Sequence, residues 1–597
     1  MSSEQIGAWD DAIAPLQQEV REILTEDPTA STYSTILEYE LPLESRRPDV
    51  ILLVRGGVVV LELKGKARPS QADLDQAAAY ARDLRSYHRE CAGVIVTPVL
   101  VPTQARGYLG LEGGVHIVGP DYLDALVVDL AHAGDVAVVP SERFLSPDAY
   151  RPLPTLVEAA RELFETKKLR HIERAHACVE PCLATLSEIV MDAARTKTRR
   201  LVLLTGIPGA GKTLVGLQLV HSRYLDDLTV ARSTGKPTAP GVFLSGNGPL
   251  VQVLQHQLRE PGGAGRTFVR GVKDYIKAHS RGLVPDQHVL VFDEAQRAWD
   301  AARVAAKQEI DTPLSEPQLF IDFASRIPEW CVVVGLIGTG QEIYTGEEGG
   351  LLLWREAVET ARAPGEWRVH GPIAPRPTFA DMLTPYTVES SLNLDVELRQ
   401  HSARDLHRFI AGLLEHEPPA ALASQAEALE RESFTLRLTR DARIAKAYLR
   451  ERYSGDAQSM FGILASARDK NLDVDVAYNR KLGAWYSSEG SRSCRHLDEC
   501  VTEFEAQGLE LDGAILVWGT DFRLLHGRWD VTLQKRYRAF NIPRDAFKLR
   551  MNAYRVLLTR ARDGICVYVP PMSELDETYG YLRASGFLEL QHQPDDG

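Results

Sequence analysis

The sequence predicts an α/β protein of several units, and three observations carry that reading. From Leu201 onward, apolar runs such as LVLLTG, GVFLSG, HVLVFDE and CVVVGLIG alternate with helix-like stretches, the pattern of a parallel sheet with helices packed on it. The chain is 597 residues long, too many for one core at about 100 to 200 residues per domain. Two segments concentrate proline and turn formers, LSPDAYRPLPT at 145–155 and ARAPGEWRVHGPIAPRP at 361–377, and they read as a linker and a boundary.

Taken in order, Ile13, Leu16, Val20, Ile23 and Leu24 recur at helical spacing and predict an amphipathic helix over about 10–25. Three short β-like runs follow at 36–41, 50–54 and 58–63, the last two joined by Arg55-Gly56-Gly57, which reads as a hairpin turn. A helix over about 71–87 and a buried strand over 93–99 complete an α-β-β-β-α-β unit within residues 1–145. Helices over 146–194 then lead to a first α/β lobe at 195–380 and a second at 381–597, whose strands include FGILAS, GAILVWG and GICVYVP.

Composition narrows the function. With 44% hydrophobic and 25% charged residues the chain is a folded one, neither disordered nor collagen-like. Lys plus Arg is 68 against 82 Asp plus Glu, a formal charge of −14, so a nucleic-acid partner requires a local basic groove. Neither a signal-peptide pattern nor a run near the roughly 18 apolar residues of a membrane span is present, and seven scattered cysteines suit a reducing compartment. The expectation is a cytoplasmic protein with no membrane partner.

Gly206-Ile207-Pro208-Gly209-Ala210-Gly211-Lys212-Thr213 fits G-x-x-x-x-G-K-T between the strand LVLLT and the helical run LVGLQLV. Gly206, Gly209 and Gly211 let backbone N–H groups wrap phosphates at a helix N-terminus, Lys212 reaches the β/γ-phosphates and Thr213 binds Mg²⁺. The strand HVLVF ends in Asp293-Glu294, where Asp293 can hold the Mg²⁺ and Glu294 can polarise the attacking water. ATP with Mg²⁺ is the implied cofactor.

These residues resemble superfamily 1 helicases. Asp293-Glu294-Ala295-Gln296 is similar to motif II, Phe243 to Asn247 to motif Ia, and Ile337-Gly338-Thr339-Gly340-Gln341-Glu342 to motif III. In the last third, Leu394 to Arg399 is similar to motif IV, Gln507-Gly508-Leu509-Glu510 to motif V, and Ala553 to Arg562 to motif VI. The pattern resembles the Schlafen group 3-like DNA/RNA helicase domain family over about residues 195–570. The resemblance implies two RecA-like P-loop NTPase lobes with ATP between them, Gln341 sensing the γ-phosphate, Arg399 and Arg560 reaching it from the second lobe, and Glu510 near the ribose. Two departures stand out. No glutamine motif for adenine precedes Leu201, and the short interval from motif Ia to motif II leaves little room for a strand-separating insert, favouring translocation or gating over processive unwinding.

Near the start, Asp49 precedes one strand while Glu62 and Lys64 lie two apart on the next, so Glu62 and Lys64 share a face. Asp49 and Glu62 can chelate a divalent ion, Mg²⁺ or Mn²⁺, and Lys64 can orient the attacking water. This set, with Pro48, resembles the PD-(D/E)xK nuclease fold in its NERD-like form. Gln76 and Tyr80, four apart on the following helix, are similar to the Q-x-x-x-Y signature of the exonuclease branch and could both touch the DNA backbone. The family also expects an acid on its first helix, and Glu19 and Glu22 both qualify.

Lys535, Arg536, Arg538, Arg544, Lys548 and Arg550 interleave with Tyr537, Phe540 and Phe547, a composition able to line a single-strand track but equally that of a solvated helix face. Cys494, His496 and Cys500 offer only three zinc-type ligands at irregular spacing, which suits packing better. The reading is an ATP-dependent nuclease with a superfamily 1 motor acting on nucleic acid, DNA more than RNA, in phage defence or DNA processing. The alternatives are a nucleotide-gated nuclease switch without unwinding, and a nucleic-acid-binding ATPase whose nuclease fold is inactive.

Overall fold

The computed structural model describes residues 3–591 except 43–44, 133–136, 153–154, 167–172, 207–209, 223, 229–239, 258–267, 281, 309–313, 339–349, 395–402, 472–481 and 537–544. Three sheets organise them.

The first has six strands in the order β1-β2-β3-β4-β6-β5, formed by β1 (Ser34–Leu37), β2 (Val50–Val54), β3 (Gly57–Lys64), β4 (Ile95–Pro102), β5 (Leu109–Glu112) and β6 (Val115–Val118). The expected hairpin is present: β2 and β3 pair antiparallel with Val54 opposite Gly57, and the intervening Gly56 takes a φ of 87°, a left-handed turn that favours glycine. Strands β3 and β4 run parallel, connected by α2 (Gln71–Tyr87), while α1 (Ser3–Glu26) and α3 (Leu123–His132) pack together. On α1, Ile23 is buried whereas Ile13, Val20 and Leu24 stay exposed, so only part of the expected apolar stripe finds the core. The segment expected as a linker is instead tied down: Phe144 and Tyr150 are fully buried beside Tyr39 and Leu84, and Tyr150 bridges His88.

The second sheet is entirely parallel. It comprises β7 (Arg199–Gly206), β8 (Gly241–Ser245), β9 (Val269–Gly271), β10 (Val289–Asp293), β11 (Cys331–Gly338), β12 (Trp367–Gly371), β13 (Tyr386–Val388) and β14 (Asn393–Leu394), with β7 flanked by β11 and β12. Alternate residues of β7 feed opposite cores, Leu201 and Leu203 one way and Val202 and Leu204 the other, as a strand with helices on both faces requires. The Pro-rich stretch read as a boundary carries β12, because Trp367 and Val369 are wholly buried against the sheet; lobe 1 therefore runs on to Leu394 rather than stopping at 380.

The third sheet, the frame of lobe 2, is also parallel: β15 (Thr435–Thr439), β16 (Phe461–Ala465), β17 (Cys500–Thr502), β18 (Leu511–Val517), β21 (Ala561–Tyr568) and β22 (Leu588–Glu589), with β19 (Arg523–Leu525) and β20 (Arg528–Asp530) as a separate ribbon. One apolar cluster continues from Val202 and Leu204 through Phe409 and Leu413 to Leu436 and Leu438, so the lobes share a core. Among the described residues no helix is long and apolar enough to cross a membrane.

Candidate functional site

The N-terminal residues singled out in the sequence converge. Asp49 enters β2, and its Oδ2 accepts the Leu63 N–H at 2.8 Å from the neighbouring strand. Lys64 donates to Glu62 Oε1 at 3.1 Å and to Gln76 Oε1 at 2.9 Å, and Gln76 Nε2 donates to the Tyr80 hydroxyl at 3.1 Å. Helix α2 delivers those last two side chains on one face and is started by a capping box in which Ser70 and Asp73 exchange hydrogen bonds. Asp73 also pairs with Lys66 at 2.7 Å and stands 3.9 Å from Lys64. The spacing S-x-x-D was visible in the sequence, but its proximity to Lys64 was not.

Electrostatically the site is strained in one direction. Burial, then the neighbouring Glu62, pushes the Asp49 carboxyl up to about 8, and burial raises Glu62 against the pull of Lys64. Burial alone would lower Lys64, yet Glu62 and Asp73 outweigh it and hold the ammonium above its usual range. Glu62 Oε2 is buried without a hydrogen-bond partner. A paired acid set with an orphaned oxygen is the donor chemistry a divalent cation satisfies. The first-helix acid takes another course: Glu19 accepts the Asp124 N–H at 3.1 Å and clusters with Glu22 and Asp124.

The phosphate-loop site builds at the C-terminal edge of the second sheet. Gly206 ends β7, where an added Cβ would lie 2.7 Å from the Leu394 carbonyl oxygen, so glycine is required by this close approach. Gly211, at φ 84°, caps the helix Lys212–Val220, and Lys212 Nζ donates to Gly206 O at 2.8 Å. Gly209 lies outside the described residues. Asp293 ends β10 between two hydroxyls, Thr213 and Ser245, each 3.3 Å away, and burial followed by Glu294 raises it to about 7. Glu294 adopts φ 56°, a left-handed conformation uncommon for a side chain of its size. It accepts from Gln296 Nε2, whose Oε1 in turn accepts the Gly338 N–H at 2.9 Å. The motif II and III segments therefore interlock beside Lys212, which approaches the Gly338 position within 3.7 Å of an added Cβ.

The second lobe meets this edge through motif V. Asn247 Nδ2 donates to Gln507 O at 2.6 Å, and Gly508 turns at φ 79° against Asn247. Arg560 is buried and lays its guanidinium on Val556 O at 2.9 Å, Thr559 Oγ1 at 3.1 Å and Leu509 O at 3.4 Å. Glu510 accepts the Tyr486 hydroxyl through its backbone oxygen at 2.6 Å. Gln341 and Arg399 lie outside the described residues.

The basic stretch divides. Arg550 is buried between Glu503 and Asp521, 2.5 and 3.0 Å away, and is a structural pair rather than part of a track. Lys535, Arg536, Phe547 and Lys548 stay exposed, and Arg538 and Arg544 lie outside the described residues. Cys494 and Cys500 are packing thiols that burial pushes up to about 12. Sequence reasoning missed Asp75, Arg46 and Arg437, because the pairings Asp75–Arg437 and Arg46–Asp563 join residues hundreds of positions apart.

A family model described as Schlafen group 3, DNA/RNA helicase domain matches residues 199–571, more than half of the chain. Among solved structures, the chain is similar to one described as the structural basis for DNA unwinding at forked dsDNA by two coordinating Pif1 helicases, at 10% identity, covering 67% of this chain and 93% of that one. Its TM-score is 0.28, too loose to carry an argument. No curated protein matches.

Proposed function

The chain belongs to the Schlafen group 3 DNA/RNA helicase domain family, and from that premise we propose an ATP-driven nucleic-acid motor fused to a metal-dependent nuclease. The observation that carries the nuclease half is the convergence of Asp49, Glu62, Lys64, Gln76 and Tyr80 around one buried, unpartnered carboxylate oxygen, Glu62 Oε2. Asp49 and Glu62 would hold Mg²⁺ or Mn²⁺, and such an ion supplies an activated water and charge stabilisation for phosphodiester hydrolysis. Lys64 keeps its proton and orients the nucleophile. Gln76 fixes Lys64, and Tyr80 fixes Gln76.

In the motor, Gly206, Gly209 and Gly211 would wrap the phosphates of ATP, Lys212 would reach the β/γ-phosphates, Thr213 and Asp293 would hold Mg²⁺, and Glu294, steadied by Gln296, would position the attacking water. Gln341, Arg399 and Arg560 are proposed to sense the γ-phosphate and Glu510 the ribose. The interval between β8 and β10 holds one helix over Gly248–Gln257, the short β9 and a helix over Val272–His279 among its described residues, which favours translocation or gating over processive unwinding.

Cleavage of labelled DNA and RNA is to be followed during Mg²⁺ and Mn²⁺ titration, with ATP turnover in parallel. Lys64→Ala should lose cleavage by at least about 100-fold with ATP turnover retained, and Lys212→Ala should stop turnover. Undiminished cutting by Lys64→Ala would refute the nuclease assignment.

A further inference from the structure

Helix α2 presents Gln76 and Tyr80 to the N-terminal site, and its other flank is fastened to lobe 2. Arg437, on β15, grips Asp75 with two nitrogens at 2.5 and 2.8 Å, and the Tyr448 hydroxyl donates to the same carboxylate. Arg46 spans Asp83 on α2 and, in lobe 2, Asp456 and Asp563, while Arg82 reaches Asp563 at 2.8 Å. At the rim, Lys66 pairs with Glu451 at 2.6 Å.

These contacts close over the site. An added Cβ at Gly455 would stand 3.7 Å from Gln76 Nε2, so lobe 2 lies directly on the Q-x-x-x-Y face. The cavity left between Gln76 and Tyr80 on one side and Arg452, Tyr453 and Asp456 on the other is about 20 Å³, room for about one water. Glu62 and Asp49 are 4% and 7% exposed. The cavity borders Gln76 and Tyr80 rather than the acids themselves, and no phosphodiester with its flanking sugars fits against those two side chains while lobe 2 is docked.

We propose that lobe 2 is the lid of the N-terminal site: this structure is its closed state, and nucleic-acid substrate reaches Asp49, Glu62 and Lys64 only when lobe 2 moves off α2. The proposal rests on the nuclease reading for its meaning, but the motion can be measured apart from cleavage. The route from the motor is short. Asp563, the shared anion for Arg46 and Arg82, lies on β21, three residues beyond Arg560, which stands immediately before that strand.

The full chain carrying Lys66→Cys and Glu451→Cys serves both arms of the test, since both positions are part-exposed. Spin labels at the two cysteines should report one short distance in the free protein and a second, longer population once a non-hydrolysable ATP analogue and a single-stranded oligonucleotide are added. A short bis-maleimide joining the same cysteines should lower cleavage at least tenfold relative to the unjoined double variant. An unchanged distance distribution overturns the lid, and so does full cleavage by the cross-linked chain. Opening seen by the labels with no cleavage by any form, wild type included, would leave the lid standing and remove the nuclease.

Discussion

Replacing Arg437 by methionine removes the cation that Asp75 was folded against. Both partners are almost fully buried, and Asp75 is held by two Arg437 nitrogens and the Tyr448 hydroxyl. Burial works against the Asp75 anion, yet Arg437 keeps its carboxyl below the usual range. With Arg437 gone, Asp75 keeps only neutral donors, the Tyr448 hydroxyl and the Gln71 amide at 3.0 Å, and breaking a buried pair from one side costs about 3–5 kcal/mol. Asp75→Ala is milder, because Arg437 still bonds Glu430 at 2.6 and 3.1 Å, and about 2 kcal/mol is expected. The double variant leaves neither charge orphaned and should cost less than the sum of the two by about 2–3 kcal/mol. A chain of several units does not unfold in one step, so the assay is native-state hydrogen exchange on peptides from 71–87, which reads α2 locally. Arg437→Met should speed exchange there by roughly 100- to 4,000-fold at about 1.4 kcal/mol per tenfold, and Asp75→Ala by roughly 30-fold. Strict additivity in the double variant, or unchanged exchange in Arg437→Met, would refute the account of this interface.

Two further changes test lobe 1. Gly206→Ala puts a Cβ 2.7 Å from the Leu394 carbonyl oxygen and 3.0 Å from Leu394 Cβ, atoms that cannot swing aside, so ATP turnover should fall at least about tenfold with a loss of about 1–3 kcal/mol in stability; wild-type turnover would contradict this. Glu316 is buried beneath Trp299, accepts its N–H at 2.9 Å, and is raised by burial to about 7, so the folded state prefers the neutral acid. Stability of the wild type should therefore decline as pH rises from about 4.5 to about 7. Glu316→Gln, which retains an acceptor, should match wild type at pH 5 and exceed it at pH 8 by up to roughly 3 kcal/mol in native-state hydrogen exchange on peptides from 316–326. Equal pH profiles would show that Glu316 is not held neutral.

What the sequence disclosed depended on how local the cause was. Helix α2 was legible as a helix over about 71–87, and the spacing of Gln76 and Tyr80 was legible with it, because the causes act within a few residues, as the capping box of Ser70 and Asp73 does. The phosphate loop and the Asp293-Glu294 strand end were readable for the same reason. Strands β5 and β6, four residues each around the Gly113-Gly114 turn, carry too little pattern to be seen before their neighbours exist. Strand β12 was hidden by prolines that flank it, although Trp367 and Val369 decide its burial. Arg550 illustrates the converse error: its basic and aromatic neighbours suggest a nucleic-acid track, but Glu503 and Asp521, which claim it, are 47 and 29 residues away. No local signal reports such partners.

The chemistry of the α2 interface bears on why it is built from charge. A permanent contact between two units is made at lower cost from well-packed apolar side chains, since each buried ion first surrenders its hydration. Here three arginines and four aspartates are spent on the junction of α2 with lobe 2, and Asp563 is held well below the usual carboxylate range by Arg46 and Arg82 even though burial opposes it. Groups of this kind regain water when parted, so both the docked and the separated surfaces are soluble, which an apolar seam would not be. The strand that holds Asp563 is central in its sheet, paired with β15 on one side and β18 on the other, with Arg560 at its entrance. On the lid proposal, a displacement of Arg560 away from the Leu509 carbonyl passes to Asp563 three residues on, and so to Arg46, Arg82 and α2.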